Sequence, residues 1–238
     1  MASGIKSRGM RRTGKPECAK EQMDEGSRQH RKSTLGRIFL LSPANIAGAR
    51  AALVLREGGQ FELARRLRNA GASLGEVFSF ISGLYFRGKL AYAQAFADTR
   101  PGVPGTLVIT ACGGLLPPET HVTLDRLCEI SAVDLGLADP RFHDPLVRDA
   151  RHIAAVGGTN CQFILLGSIA TQKYVEPLLE VFGEKLLFPE EFIGRGDLSR
   201  GGLMLRCVQT GVELTYVQAV KAVRHGPRPP RLKLQPHH

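Results

Sequence analysis

The sequence predicts an α/β fold with a mainly parallel, Rossmann-like sheet and a C-terminal antiparallel hairpin. Three short apolar runs carry this prediction, at residues 37–42, 106–111 and 162–167. Unbroken apolar runs with helical patterns between them are typical of strands buried on both faces of a parallel sheet. Each run stops at a turn marked by glycine, proline or a polar residue.

The first strand, at 37–42, leads into a Ser-Pro-Ala-Asn turn at 42–45, because proline fixes φ and asparagine tolerates the left-handed region. A short helix is predicted at 47–55, and a second helical segment ends near Gly71. Apolar residues then recur every three or four positions, which predicts a largely helical stretch over 74–97. Gly83 and Gly88 are expected to interrupt it.

The loop at 101–105 precedes the second strand, and Thr123 is predicted to cap a helix through Ile130. Asp144 and Pro145 form an N-cap and N1 pair for a helix over 145–156 that ends at the Gly157-Gly158 pair. A further helix follows the third strand and ends at Gly183, and Pro177 is expected to delay or kink it.

The C-terminal part of the fold is predicted from a fourth strand at 185–189 and a closing hairpin. The hairpin joins residues 202–208 to 213–218 around Thr210 and Gly211. Parallel pairing of the first four strands follows from the long connections between them.

The positive charge lies at the two ends of the chain. The net charge is +10, yet residues 38–218 carry 17 basic and 18 acidic side chains. We therefore expect a disordered basic tail at 1–35, one α/β domain at 36–218 and a basic, proline-rich tail at 219–238. Basic tails on a nearly neutral domain are typical of nucleic-acid binding through phosphate contacts. Solubilising extensions, or first residues that precede the native start, are the alternative.

Composition also excludes several classes of protein. No apolar stretch approaches the roughly 18 residues that span a bilayer, and the basic N-terminus lacks the apolar segment of a signal peptide. The five cysteines are scattered and never spaced C-x-x-C. These features predict a cytoplasmic protein without a membrane partner, a structural metal or a cofactor.

The turns after the strands predict one ligand-binding crevice. Parallel strands point their carboxyl ends to the same edge of a sheet, and ligands bind beyond that edge. The predicted ligand-binding residues are Ser42, Asn45, Gly113, Gly114, Gly167, Ser168, Thr171, Lys173, Tyr174, Arg195, Asp197 and Arg200.

Two of these segments suggest anion binding. Gly167 and Ser168 form a strand-to-helix turn, where exposed N–H groups and the helix dipole favour an anion, although it has no Walker spacing. The alternative is simple helix capping by Thr171. Arg195 and Arg200 could both bind a phosphate or carboxylate, with Asp197 orienting one of them. Here the alternative is an ordinary loop with an internal ion pair.

Covalent chemistry has weaker support from the sequence. Cys112 follows the second strand and precedes two glycines, as a nucleophile can, but no histidine lies at an equivalent strand end. A buried, inert thiol is the alternative. Tyr85 and Arg87 beside Gly88 either reach the crevice or belong to the core.

Three segments resemble the YaaA-like family of peroxide-stress-response proteins. These are IFLLSPAN at 38–45, EVFSFISGLYFRGKLAYA at 76–93 and the LVITACGGLLP loop at 107–117, while 167–205 is similar to smaller uncharacterised relatives. The resemblance implies a cytoplasmic α/β protein linked to DNA or oxidative damage, with DNA binding and no settled catalytic mechanism. Cys112-Gly113 departs from the family's aromatic-glycine pair, and the family's lysine-rich middle is missing.

Two main functional hypotheses follow. The first is a nucleic-acid-associated protein whose domain binds a nucleotide or phosphate while its tails contact the backbone. The second is an enzyme acting on a nucleotide or nucleobase, such as a glycosidic-bond transferase or hydrolase. A small-ligand sensor with inert tails is a third.

Overall fold

Six strands form the central sheet of the computed structural model, which describes residues 36–56, 58–133, 135, 139–170, 172–222, 226, 229 and 230. Four run parallel: β1 (Gly36–Leu41), β3 (Thr106–Thr110), β6 (Cys161–Leu166) and β7 (Leu186–Pro189). The antiparallel edges are β4 (Gly114–Leu116) and β8 (Tyr216–Gln218), and the spatial order is β4-β3-β1-β6-β7-β8. A separate antiparallel pair joins β2 (Ala72–Ser73) to β5 (His121–Val122).

Eight α-helices are described in these ranges, with 3₁₀ turns at Gly183–Lys185 and Glu190–Phe192. The helices are α1 (Ala49–Leu55), α2 (Glu62–Asn69), α3 (Leu74–Ser82), α4 (Leu84–Phe96), α5 (Leu124–Ser131), α6 (Pro140–Gly157), α7 (Gln172–Phe182) and α8 (Asp197–Thr210).

The fold class is confirmed. The sheet is mainly parallel and has an antiparallel C-terminal pair, β7 and β8. Each of the four predicted parallel strands lies within one residue of its expected bounds. The central strand β1 is completely buried over its last four residues, as expected for a strand covered on both faces.

The predicted strand at 202–208 is wrong, because these residues belong to α8. The buried residues of α8 are Gly201, Met204 and Cys207, whose three-residue spacing places them on one side of a helix. The partner of β8 is therefore β7, which reaches it through the pairs of Leu187 with Gln218 and Pro189 with Tyr216.

Two helix predictions also need correction. The helix predicted over 145–156 begins at Pro140, because Asp139 accepts a hydrogen bond from the Arg141 N–H at 3.0 Å and so provides an earlier N-cap. Pro145 consequently lies inside α6. Gly83 does separate α3 from α4, with φ +57°, but Gly88 lies within α4.

Strand β4 was not predicted from the sequence. Gly114 turns the chain back with φ +67°, and the N–H of Leu115 then donates to the Asp149 carboxylate of α6 at 3.0 Å. The strand is only three residues long, and a contact 34 residues away fixes it, so no local pattern announces it.

The connections reverse direction at β1. The chain leaves β1 for β3 on one side and later enters β6 on the other side of β1. Because such crossovers are right-handed, α4 covers one face of the sheet and α6 and α7 cover the opposite face. Helix α8 packs on α4, where Gly201 contacts the backbone of Leu84 and Tyr85.

Candidate functional site

The topological switch point lies between β1 and β6. In open α/β sheets, ligands bind beyond the carboxyl ends of the strands at the point where the strand order reverses. Here this point brings together the turn after β1, which starts at Ser42, and the turn after β6, which starts at Gly167. The Ser42 N–H donates to the Leu166 carbonyl at 3.1 Å, so the two turns diverge only beyond this bond.

A cavity of about 460 Å³ opens at this edge, and we call it the switch-point crevice. Its volume is in the range of small-molecule sites. Its polar lining comes from Asn45, Ser131 and Lys173, and the other lining residues are Pro43, Ala44, Ile46, Ala47, Ala111, Ile130, Ala132, Val133 and Leu135.

The polar groups of the crevice sit on defined local structure. The Asn45 side-chain oxygen accepts from the Ala47 N–H at 3.2 Å, an Asx turn that shapes the segment between β1 and α1. Lys173 is exposed and lies in the first turn of α7, where the helix dipole favours negative charge. An anion near Lys173 would thus meet positive potential from both sources.

The Gly167–Ser168 turn is closed by a side chain of α7. The Tyr174 hydroxyl donates to the Ser168 carbonyl at 3.0 Å and accepts from the Ser168 N–H at 3.1 Å. That N–H is therefore already satisfied by the protein. Gly167 packs on Ser42, since a Cβ at 167 would lie 2.8 Å from the Ser42 Cβ. Thr171 lies outside the described residues.

Gly113 and Gly114 form the β3–β4 turn beside the crevice, where only Ala111 of this segment lines it. The Gly113 N–H donates to the Thr110 hydroxyl at 3.0 Å. A Cβ at Gly114 would come within 2.7 Å of the Pro145 carbonyl oxygen. These glycines serve a tight turn packed against α6.

Arg195 and Arg200 hold the loop before α8 rather than converging on one point. Arg195 donates to the Glu191 carbonyl at 2.9 Å. Arg200 donates to the Phe192 carbonyl at 3.0 Å and lies over the Phe192 ring. A carboxylate oxygen of Asp197 lies 3.8 Å from the Arg200 guanidinium. This matches the alternative of a loop with an internal ion pair.

A buried lysine on α4 is a candidate functional feature that the sequence analysis did not identify. Lys89 is only 1% exposed, and its Nζ donates to the Ser42 carbonyl at 2.6 Å and lies 3.0 Å from the Ser42 Oγ. The rings of Tyr85 and Phe86 lie 4.5 and 4.8 Å from the same nitrogen. Within the described ranges, no carboxylate forms an ion pair with Lys89.

Burial lowers the pKa of Lys89 to about 7. The carboxylate of Asp197 opposes this change and the guanidinium of Arg200 adds to it. A lysine with such a pKa is largely neutral in mildly alkaline solution, and its nitrogen can then accept a proton.

Tyr85 adds a buried hydroxyl next to this amine. The residue is 8% exposed, and among the described residues its Oη has no partner in full hydrogen-bond geometry, although the Arg200 guanidinium lies close to it. Burial raises the pKa of Tyr85, while the nearby Arg200 guanidinium acts in the opposite direction. Lys89 and Tyr85 are four positions apart on α4, so both face the sheet edge and α8. A lysine on an otherwise apolar helical face was the signal that could have revealed them.

The Cys112 thiol has a raised pKa, chiefly because of burial, which disfavours the nucleophilic thiolate. The described residues contain no group of histidine, cysteine and carboxylate side chains able to hold a metal ion. None of the described helices is both long and apolar enough to cross a bilayer.

The chain matches no protein-family model, no curated protein and no solved structure with which it was compared.

Proposed function

We propose that the switch-point crevice binds a nucleotide-like ligand. The single observation that carries this proposal is a 460 Å³ cavity at the carboxyl ends of β1 and β3, next to the switch point, with a lysine at the start of α7. Its apolar wall, which includes Ile46, Ile130 and Val133, suits a planar ring. Lys173 and the first turn of α7 suit an anionic group at the other end.

Calorimetric titration of the full chain with nucleoside mono- and diphosphates, nucleosides and free bases tests this proposal. We expect Lys173→Ala to weaken phosphate-bearing ligands by about 10- to 100-fold, as for loss of a charge-assisted hydrogen bond, and to leave free bases nearly unchanged. Val133→Trp should weaken both classes, because the new ring occupies the crevice. Lys185→Ala, an exposed lysine next to β7, is the matched control.

Equal loss of nucleosides and nucleotides in Lys173→Ala would contradict the anionic subsite. If Val133→Trp left the affinity for every ligand unchanged, this would contradict the proposal that the crevice is the binding site.

A second proposed function is association with nucleic acid through the basic tails, in a cytoplasmic protein of the stress response. The observation that favours it is the charge distribution, in which residues 219–238 contain five basic and no acidic side chains. The resemblance to the YaaA-like family carries the same expectation. The four cysteines of the described residues are free thiols, which supports a reducing compartment.

The alternative function, a glycosidic-bond transferase or hydrolase, lacks support from a pair of carboxylates in the crevice. The described residues that line the crevice include no aspartate or glutamate. Glycoside hydrolysis in most families needs two such groups flanking the bond.

A further inference from the structure

We propose that Ser42 and Lys89 form a serine–lysine catalytic pair that transfers an acyl group from a ligand held in the switch-point crevice. The inference rests on the proposed function for the position of the substrate. It adds the reaction class, namely attack on a carboxylic ester or amide.

The geometry meets the first requirement of such a pair. A serine nucleophile needs a base within about 2.6–3.2 Å of its oxygen. The Lys89 Nζ lies 3.0 Å from the Ser42 Oγ, and its bond to the Ser42 carbonyl fixes the direction of the amine. Lysine replaces histidine as the base in known serine–lysine variants of the triad.

The surroundings meet the second requirement, a lysine that can lose its proton near neutral pH. Lys89 is enclosed by the rings of Tyr85 and Phe86 on its own helix. The charged groups that face it are Asp197 and Arg200 of α8, whose opposite charges act in opposite directions. Neither cancels the effect of burial.

Access to the nucleophile depends on Gly167. The crevice begins at Pro43, one residue after Ser42. A Cβ at position 167 would lie 3.1 Å from the Ser42 Oγ and would cover it. Ser42 is 6% exposed, so its hydroxyl has little room, and a side chain at 167 would close the approach from the turn after β6.

The reaction is balanced by the pair and one water molecule. The Ser42 Oγ forms a bond to the carbonyl carbon, its proton passes to Lys89, and the carbonyl π electrons move to oxygen. When these electrons form the carbonyl double bond again, the bond to the leaving group breaks, and the Lys89 ammonium gives its proton to that group. Water then attacks the acyl-serine, Lys89 again takes and returns a proton, and the acid and free serine are released.

A fluorophosphonate probe tests the pair on the full chain without knowledge of the substrate. Its phosphorus forms a bond to Oγ as fluoride leaves, and peptide mass spectrometry locates the adduct. We expect modification of Ser42 in the wild-type chain and its absence in Ser42→Ala. The rate should rise with pH through about 7, following Lys89, and then level off.

Variants of the base separate catalysis from folding. Lys89→Met should slow modification at least about 100-fold, the lower end of the usual general-base contribution. Lys89→Arg keeps a cation but cannot accept a proton near neutral pH, so it should be equally slow. Ser79→Ala on α3 is the control serine and should react normally. Gly167→Ala should block modification by covering Oγ.

The pair would be overturned if Ser42 formed no adduct. It would also be overturned if the adduct formed equally fast in a folded Lys89→Met or Lys89→Arg chain. Lys89 would then be only a structural cap of β1. A pH-independent rate in the wild-type chain would do the same. Modification of Ser42 in a chain that binds no nucleotide would instead uphold the pair and reject the proposed ligand class.

Discussion

Gly88 of α4 lies so close to Gly201 of α8 that a Cβ on Gly88 would sit 2.7 Å from the Gly201 carbonyl oxygen. The approach is reciprocal, since a Cβ on Gly201 would lie 2.7 Å from the Leu84 carbonyl oxygen. Two helices can come this near only where both lack side chains. The crossing places α4, with Tyr85 and Lys89, directly against the start of α8.

Gly88→Ala should therefore destabilise the protein by about 1–3 kcal/mol, the usual cost of overpacking. This sign is opposite to the gain of roughly 1 kcal/mol that alanine gives in an unconstrained helix. Urea unfolding measures the change. Gly196→Ala is the control, because φ there is −80° and a Cβ would have no neighbour within 4 Å, so its cost should be smaller. A stabilised Gly88→Ala chain would contradict the close crossing.

The parallel strands could be predicted because apolar runs and turn residues are local signals. The position of Gly88 could not, since glycine inside a helical pattern predicts an interruption unless the facing glycine is known. The strand predicted at 202–208 fails for a related reason: its apolar residues face α4 at helical spacing, and the partner of β8 is 27 or more residues away in β7.

The candidate site divides in the same way. Asn45 and Lys173 could be placed at one edge because strand polarity puts successive turns together. The bond from Lys89 to Ser42 joins residues 47 positions apart, so it depends on how α4 packs on β1. Arg195 and Arg200 resemble ligand contacts in sequence, yet they hydrogen-bond to carbonyl groups of their own loop.

The buried amine predicts a pH-dependent stability. The pKa of Lys89 is about 7 in the folded chain and near 10.5 when unfolded. Below pH 7 the folded chain must hold a buried charge, which is destabilising, and as pH rises from 7 towards 10 only the unfolded chain keeps the proton. Stability should thus increase with pH by up to about 1.4 kcal/mol per unit from this group.

Urea unfolding of the wild-type chain and of Lys89→Met between pH 6 and 9.5 isolates this contribution. The free energy of unfolding of the wild type minus that of the variant should increase as the pH rises from 6 to 9.5. Contributions from the other titrating groups cancel in this difference. A difference that stays flat would show that Lys89 keeps an ordinary pKa, and one that falls would reverse the sign of its shift.

Tyr85 and Tyr92 provide a matched pair of hydroxyls on α4. Tyr85→Phe removes a buried hydroxyl that has no partner in full hydrogen-bond geometry in the described part of the chain, so stability should be unchanged or rise by about 1 kcal/mol. Tyr92→Phe removes a hydroxyl that makes two hydrogen bonds. It accepts from the Leu214 N–H at 2.8 Å and bonds to the Tyr216 hydroxyl at 2.7 Å. The substitution should cost about 1–3 kcal/mol.

Thermal or urea unfolding of both variants makes the comparison. Equal losses in the two would contradict the unpartnered state of Tyr85. If Tyr85 also serves a ligand, Tyr85→Phe should weaken binding or slow acylation while it leaves the fold intact.

The basic tails predict a steep salt dependence of DNA binding. Each phosphate neutralised by lysine or arginine releases counterions and contributes roughly −0.9 to the slope of log K against log salt on duplex DNA. Residues 1–37 alone carry ten basic side chains, whereas 38–218 have a net charge of −1.

Replacing the Lys and Arg residues of 1–33 and 224–238 by glutamine should therefore bring the slope towards zero, as fluorescence anisotropy with a duplex oligonucleotide can measure. Neutralising Arg148 and Arg151, two exposed arginines of α6, is the control and should change the slope little, because the body has no net attraction for a polyanion. An unchanged slope in the tail variant would place the phosphate contacts on the folded body, and the tails would then serve solubility alone.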